Sequence, residues 1–532
     1  MVVWFSGQAD EMALDELTLS PCSRYFWRSH PLNNRSGSDI FATLFQPGTG
    51  QPGVSGIATL LESPVKSDNT STEETAKETD EETAEQKTLA QLARYSICAG
   101  PPRFVKGAYQ AWTLDIGSIL PFLERLGKVA APSIECLDLE AQPPSSLPFV
   151  GGWLGWLGYD FAWEIENLPW LKVDGLPFPV AFWYEPAEFA LLDHQKQRLW
   201  LAADTPEGVE DLSQKAMAAE RSPKKETITQ PLAGNLQVTA QPVLETSQSG
   251  FEAAVKRAKD HIRAGDVFQV NHSLRFQAQT TLSSWDVYQS LRQINPSPFA
   301  SYWHTPWGAV VSCSPERLVH LDSRMAQSRP IAGTRPRGAT PELDRLNAEV
   351  LRGDRKEQAE HIMLVDLERN DLGRVCEWGS VEVNELMTIE RYSHVMHLVS
   401  NVMGRLKPTA SAAQLIAALF PGGTFTGCPK VRCMEIIESI EPVRRSLFYG
   451  SCGYFDRKGR LDLNILIRTL LMSAAEQPID DRTTEQTVST VWGQVGAGIV
   501  ADSDPKKEWK ESVQKAKAQL LALDIPEHLI FS

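Results

Sequence analysis

From Phe251 onward the apolar positions switch repeatedly between a three-to-four-residue spacing and a two-residue spacing, which predicts helices alternating with strands. FEAAVKRAKDHIRAG reads as an amphipathic helix that gives way at Gly265-Asp266 to the strand VFQVNHSLRF, and a second helix follows over 285–294. Strands are predicted over 308–312 and 317–321, and helices over 341–351, 356–368, 410–420 and 429–439. Strands over 449–456, 461–471 and 487–500 then precede a closing helix over 505–523, where Asp504 can cap and Pro505 suits the first helical position. Hairpins interrupted by helices predict an α+β fold dominated by antiparallel sheet.

Before Phe251 the pattern is richer in strands. Two strand-like runs, 56–61 and 93–98, are expected to pair across residues 64–87, which are acidic, Thr-rich and nearly free of aliphatics. That insertion cannot bury enough apolar surface to offset its ordering entropy, so it is expected to be disordered. GGWLGWLGY, from Gly151 to Tyr159, reads as a close-packed core strand or turn. The division that follows is an N-terminal region, 1–204, a polar connector, 205–248, and a catalytic region, 249–525.

A chain of 532 residues, 42% of them hydrophobic, can bury a large core. Its formal charge of −15 and the lack of a basic block argue against nucleic acid as a partner. No basic start followed by an apolar core, and no long apolar run, marks export or a membrane, so a cytoplasmic protein is expected. The eight cysteines are dispersed and read as reduced thiols, without the spacing of a zinc site.

Four clusters carry possible chemistry. PIAGTRPRG, from Pro330 to Gly338, reads as a confined turn whose Arg335 and Arg337 can grip a carboxylate. Glu357 and Glu360 on one predicted helix, and Glu508 and Glu511 on another, stand three residues apart, a spacing that suits a shared hard cation such as Mg2+. Gly422 to Arg432 sets glycines and hydroxyls before a helix start, where N–H groups can meet an anion, although GxxxxGK[ST] is absent. Gln494-Val495-Gly496-Ala497-Gly498 ends a strand on glycines that permit close approach, with Arg468 in the strand before it.

PIAGTRPRG, EHIMLVDLERNDLGR, RYSHVMHLVS, FPGGTFTGCPKVRCMEII, LDLNILIRT, GAGIVADS and KEWKESVQKA together resemble the chorismate-utilising enzymes, in order and in spacing. The resemblance implies two layered antiparallel sheets flanked by helices, with Mg2+ bridging the protein to the carboxylate of chorismate. It implies Glu360, Glu511, Glu508 and Glu357 as metal ligands and Glu316 as the acid that protonates the departing C4 hydroxyl. Gly333, Thr334, Thr424, Arg468, Gly496, Ala497, Gly498 and Lys515 are implied as substrate contacts, and His397 as a catalytic residue near the ring that acts in acid/base work or positions substrate. Members that add water resemble one another in having lysine where this chain has Gln269, whose amide cannot act as a base. Ammonia is thus the implied nucleophile, and a separate glutamine amidotransferase subunit its source.

Two aminating readings follow from the resemblance. Component I of aminodeoxychorismate synthase aminates C4 for p-aminobenzoate and folate synthesis, and is favoured by Gln269-Val270-Asn271, Pro298-Phe299-Ala300-Ser301-Tyr302, SPERL, FPGGT and Gly450-Ser451-Cys452-Gly453-Tyr454. Component I of anthranilate synthase aminates C2, releases pyruvate and serves tryptophan synthesis; Ala332 favours it, since many aminodeoxychorismate synthases resemble PIKGT. Ser63 in LLES matches a tryptophan-holding serine, but Pro298-Phe299-Ala300 lacks the accompanying methionine, and Phe448 departs from an expected tyrosine. A non-catalytic chorismate-binding regulatory homologue is the alternative of another class. The presence of Glu316, Glu360 and Glu511 argues against it.

Overall fold

The structure, a computed structural model, describes residues 19–47, 53–64, 91–138, 143, 145–221, 242–392, 395–474 and 488–525. Almost all of the expected insertion over 64–87 lies outside the described residues.

Two sheets carry the fold. The larger has the strand order Val243–Leu244, Gln269–Thr280, Ser489–Ile499, Thr469–Ser473, Gly308–Ser314, Phe299–Thr305, Ala58–Glu62, Tyr95–Ala99, Glu188–Asp193, Arg198–Ala203, Arg24–Pro31 and Ser133–Cys136. Every neighbouring pair is antiparallel except the last, where Arg24–Pro31 runs parallel to Ser133–Cys136. The smaller runs from Ile331–Pro336 through Val395–Arg405, Met325–Arg329, Arg317–Asp322, Leu461–Asn464, Ser451–Asp456 and Gly152–Leu157 to Ala181–Tyr184 and Ala111–Leu114. This is the expected α+β class with two antiparallel layers. Strands from before and after residue 248 share both sheets, and Ala58–Glu62 pairs with Tyr95–Ala99 as expected.

Period-two alternation decides what each face of the larger sheet buries. Trp27, Phe189, Leu191, Val310 and Leu471 join Trp153, Trp156, Trp183 and Val319 of the smaller sheet in one core between the layers. Their neighbours Ala190, Leu192, Ala309, Val311, Leu470 and Met472 pack outward on a second core with Phe41, Phe251, Tyr288 and Ala516 from flanking helices. The sandwich therefore holds helices on the outer face of its larger sheet.

Local expectations are corrected in two places. The connector 205–248 opens with a helix, Pro206–Arg221, that buries Val209, Leu212 and Ala216 against the larger sheet's outer core; its three-to-four apolar spacing was masked by the polar residues between. The apolar run over 461–471 is two strands, Leu461–Asn464 in the smaller sheet and Thr469–Ser473 in the larger, because the chain crosses between layers at 465–468. A second crossing links Gly308–Ser314 to Arg317–Asp322. The two crossings lie side by side: the N–H of Ile465 donates to the Glu316 carbonyl at 3.0 Å and that of Cys313 to the Arg468 carbonyl at 3.2 Å.

Candidate active site

At one end of the sandwich the inner face turns polar. Gln269, Asn271, Ser273 and Arg275 alternate inward while Val270, Leu274 and Phe276 face the outer core, and on the paired strand Gln494, Gly496 and Gly498 face the same way. Ser273 and Glu441 are joined at 2.7 Å, Gln494 reaches Ser273 at 2.6 Å, and Arg445 clamps Glu441, so this part of the floor is internally satisfied, while Gln269 Oε1 and Asn271 Oδ1 are buried without a hydrogen-bond partner among the described residues.

Glu316 stands at one crossing, 4% exposed, and accepts a hydrogen bond from the Thr424 hydroxyl at 2.8 Å. Burial pushes its carboxyl up to about 8; Glu368 adds to the rise, while Thr424, the Ile331 N–H and Arg468 hold it down. At neutral pH it is a carboxylic acid, able to donate a proton. Arg468 occupies the other crossing with a φ of 49°, a left-handed conformation that a non-glycine residue adopts at a cost. Its guanidinium donates to Asn295 at 3.0 Å and makes no ion pair among the described residues, which leaves a buried cation without a carboxylate partner.

Thr334 and His397 meet across paired strands, Oγ1 to Nδ1 at 2.9 Å, with the Gly333 carbonyl 3.3 Å from the same nitrogen. A carbonyl only accepts, so Nδ1 carries the proton and Nε2, buried and without a partner, presents its lone pair. Burial and the Arg468 charge hold this imidazole down at about 3, hence neutral. Gly333, at a bulge with a φ of 63°, has no room for a side chain: a Cβ there would stand 3.0 Å from Glu357 Oε2.

Glu357 and Glu360 lie in the opening turns of the Arg355–Val375 helix, capped by Asp354, and Glu508 and Glu511 in those of Pro505–Ala522, capped by Asp504 as expected. Burial holds Glu357, Glu360 and Glu508 above the ordinary carboxyl range, and the charge of Glu511 adds to each, while Lys356 opposes it. Glu360 Oε1 is buried without a hydrogen-bond partner, 3.6 Å from the Lys356 ammonium. The described residues hold no ready-made cage of three such side chains. The four carboxylates lie near enough to raise one another, and carboxylate oxygen is the donor type that a hard cation such as Mg2+ prefers.

Lys515 ties this group back to the floor, reaching Glu511 at 2.9 Å and the Gly496 carbonyl at 3.0 Å. A Cβ on Gly496 would fall 2.8 Å from Asn271 Oδ1 and 3.1 Å from the Tyr449 hydroxyl, and one on Gly498 would collide with the Gln269 amide. The Asn271 amide reaches the Thr424 carbonyl at 3.4 Å, and the Thr424 hydroxyl in turn reaches Glu316.

Several expectations change here. PIAGTRPRG is not a ligand-gripping turn: Ile331–Pro336 is a strand, Arg337 pairs with Asp344 at 2.7 Å, and Arg335 lies 3.6 Å from Asp354. Both guanidiniums have carboxylate partners, whereas Arg468 has none among the described residues. The helix after Gly422 begins at Lys430, and its first turn lines an outer groove with Phe268 and Ile362; ahead of it Thr424 reaches Glu316, Phe425 stacks on Tyr449, and the Thr426 carbonyl accepts from the Asn271 N–H. The Ala497 methyl packs in the outer core, so only its backbone can meet a ligand. Phe448, the expected departure, lies under Arg275, whereas Tyr449 places a buried hydroxyl beside Gly496. Its φ of 66° reverses the inward and outward order that alternation predicts. Leu61, Phe299 and Ala300 line a separate cavity of about 250 Å3 between the sheets; Ser63 is not in its wall.

The model of the chorismate binding enzyme family matches residues 106–521, and the chain belongs to that family, in the group of anthranilate and aminodeoxychorismate synthase component I proteins. It is 53% identical over 502 residues to an anthranilate synthase component I-like protein of Synechocystis sp., covering 94% of this chain and 92% of that one. It is 41% identical over 453 residues to aminodeoxychorismate synthase component 1 of Bacillus subtilis, covering 82% and 91%. Among solved structures, anthranilate synthase component I from Streptococcus pneumoniae superposes with a TM-score of 0.64 at 31% identity, over 80% of this chain and 92% of that one.

Proposed function

We propose that the chain is component I of an aminodeoxychorismate synthase, which aminates chorismate at C4 with ammonia supplied by a separate glutamine amidotransferase subunit. The observation that carries the choice of nucleophile is Gln269: it is buried in the floor, and its amide cannot deprotonate water. The free lone pair of ammonia needs no base. Glu316 delivers its proton to the departing C4 hydroxyl, which leaves as water, and a proton lost from the new C–N centre restores the acid. Arg468 and the Tyr449 hydroxyl are placed to bind carboxylate oxygens, and His397 to orient the ring as a neutral acceptor. Glu360 and Glu511, supported by Glu357 and Glu508, would hold Mg2+, which when bound neutralises a substrate carboxylate.

Ala332 favours a second reading, amination at C2 with release of pyruvate as in anthranilate synthase. With no lysine there, C4 amination proceeds without a covalent adduct at that position. Incubating the purified chain with Mg2+, chorismate and ammonium tests the proposal: 4-amino-4-deoxychorismate is expected, and anthranilate with pyruvate overturns it.

A further inference from the structure

We infer that Glu368 is a positioning residue for proton delivery: it packs behind the turn whose Thr424 hydroxyl meets Glu316, and it sets a second buried carboxyl near the proton donor. The inference rests on Glu316 as the acid of the proposed amination.

The turn Gly423–Phe425 is wedged between two elements. On one side a Cβ on Gly422 would fall 2.6 Å from Ile465, at the crossing between the sheets. On the other a Cβ on Gly423 would collide with Leu367 and stand 3.5 Å from Glu368 Oε1, so only glycine lets the Arg355–Val375 helix come this close. The next residue, Thr424, donates to Glu316 at 2.8 Å. Glu368 and Glu316 therefore meet the turn at adjacent residues. The N–H groups of Phe425 and Thr426 close it on the Gly422 and Gly423 carbonyls at 3.2 and 3.3 Å, so a shift at Gly423 carries to Thr424.

The fold alone gives no reason for a carboxyl here. Glu368 is 5% exposed, its Oε2 meets no hydrogen-bond donor among the described residues, and it has no ion pair among them. The Lys430 ammonium is taken by Asp371 at 2.6 Å and by the Leu419 carbonyl at 2.9 Å. A buried carboxyl without a cation of its own costs stability, and such groups gather at functional sites. Burial and the charge of Asp371 push the Glu368 carboxyl up, while Lys430, Ser328 and the Gly423 N–H hold it down. Around Glu316 the like charge is Glu368, opposed by Thr424, the Ile331 N–H and Arg468. Charge on Glu368 therefore disfavours charge on Glu316. The donor keeps its proton further into the alkaline range than it would alone.

The test is the alkaline limb of kcat in Glu368→Gln, measured on the full chain with Mg2+, chorismate and constant free ammonia. Glutamine keeps the shape and the acceptor for Gly423 but not the charge, so the limb should move about one pH unit lower and kcat at about pH 8 should fall about fivefold. The KM for chorismate should stay within about twofold, because Glu368 lies behind the turn and meets no substrate. Glu368→Leu, which brings no polar atom to leave unpaired, should move the limb the same way, and Glu368→Asp, which keeps the charge, should leave it within about 0.3 pH units. A limb at its wild-type position in the folded Gln or Leu variant overturns the inference, as does an upward move, which would reduce Glu368 to a structural support. A wild-type enzyme without an alkaline limb, or a limb that survives Glu316→Gln, instead overturns Glu316 as the acid, so the two failures are told apart.

Discussion

Replacing Glu316 by glutamine keeps the shape and the acceptor for Thr424 but removes the proton. Raising a carboxyl from 4.5 to about 8 amounts to roughly 5 kcal/mol against ionisation, at about 1.4 kcal/mol per pH unit. At neutral pH about nine in ten folded molecules then carry the proton. If Glu316 is the acid, kcat at constant free ammonia should fall about tenfold per pH unit above its value, and Glu316→Gln should lower kcat by about 100- to 10,000-fold with no alkaline limb left to titrate. The same side chain sets a stability trend. Its folded value lies above its unfolded one, so stability is fully retained below about 4.5 and is lost progressively as pH rises to about 8. The variant should therefore resist urea better than the wild type at about pH 9, by a few kcal/mol, and no better at about pH 4.5. Steady-state rates across this range and paired urea titrations give both readouts. Activity within tenfold of wild type, or an unaltered alkaline limb, would refute the assignment.

Thr424→Val removes a hydrogen bond that holds Glu316 down, so the alkaline limb should move to higher pH while the protein stays folded; a downward move contradicts the geometry. Glu360→Ala and Glu511→Ala should each abolish Mg2+-dependent turnover and weaken Mn2+ binding, measured by electron paramagnetic resonance, by at least about tenfold. Retention of both in either variant removes that residue from the metal site. Gly498→Ala drives a methyl into the Gln269 amide and should reduce kcat/KM by at least about tenfold, with overpacking costing about 1–3 kcal/mol in unfolding experiments. Wild-type kinetics there would mean that Gln269 does not face the reacting atoms.

The helices bearing the four glutamates were legible in the sequence because cap, proline and i, i+3 spacing are local signals, and Asp504, Pro505, Glu508 and Glu511 carry them within about two turns. The strand at Gln269 was legible from alternation for the same reason. Arg468 and Glu316 are different. Their positions follow from two crossings between sheets that lie next to each other in space but about 150 residues apart in the chain, and an uninterrupted strand-like pattern over 461–471 conceals one of them. The arginines of PIAGTRPRG misled because their partners, Asp344 and Asp354, belong to helices whose docking no local pattern states. Tyr449 was overlooked because its left-handed backbone breaks the alternation that a strand reading assumes.

The central claim is that ammonia replaces the C4 hydroxyl of chorismate while the enolpyruvyl group is kept. Mass spectrometry of the product formed from chorismate and 15N-ammonium by the purified chain with Mg2+ tests it directly. The account predicts a labelled 4-amino-4-deoxychorismate with no pyruvate released. Labelled anthranilate with an equal amount of pyruvate, or an unlabelled hydroxylated isomer of chorismate, would contradict it.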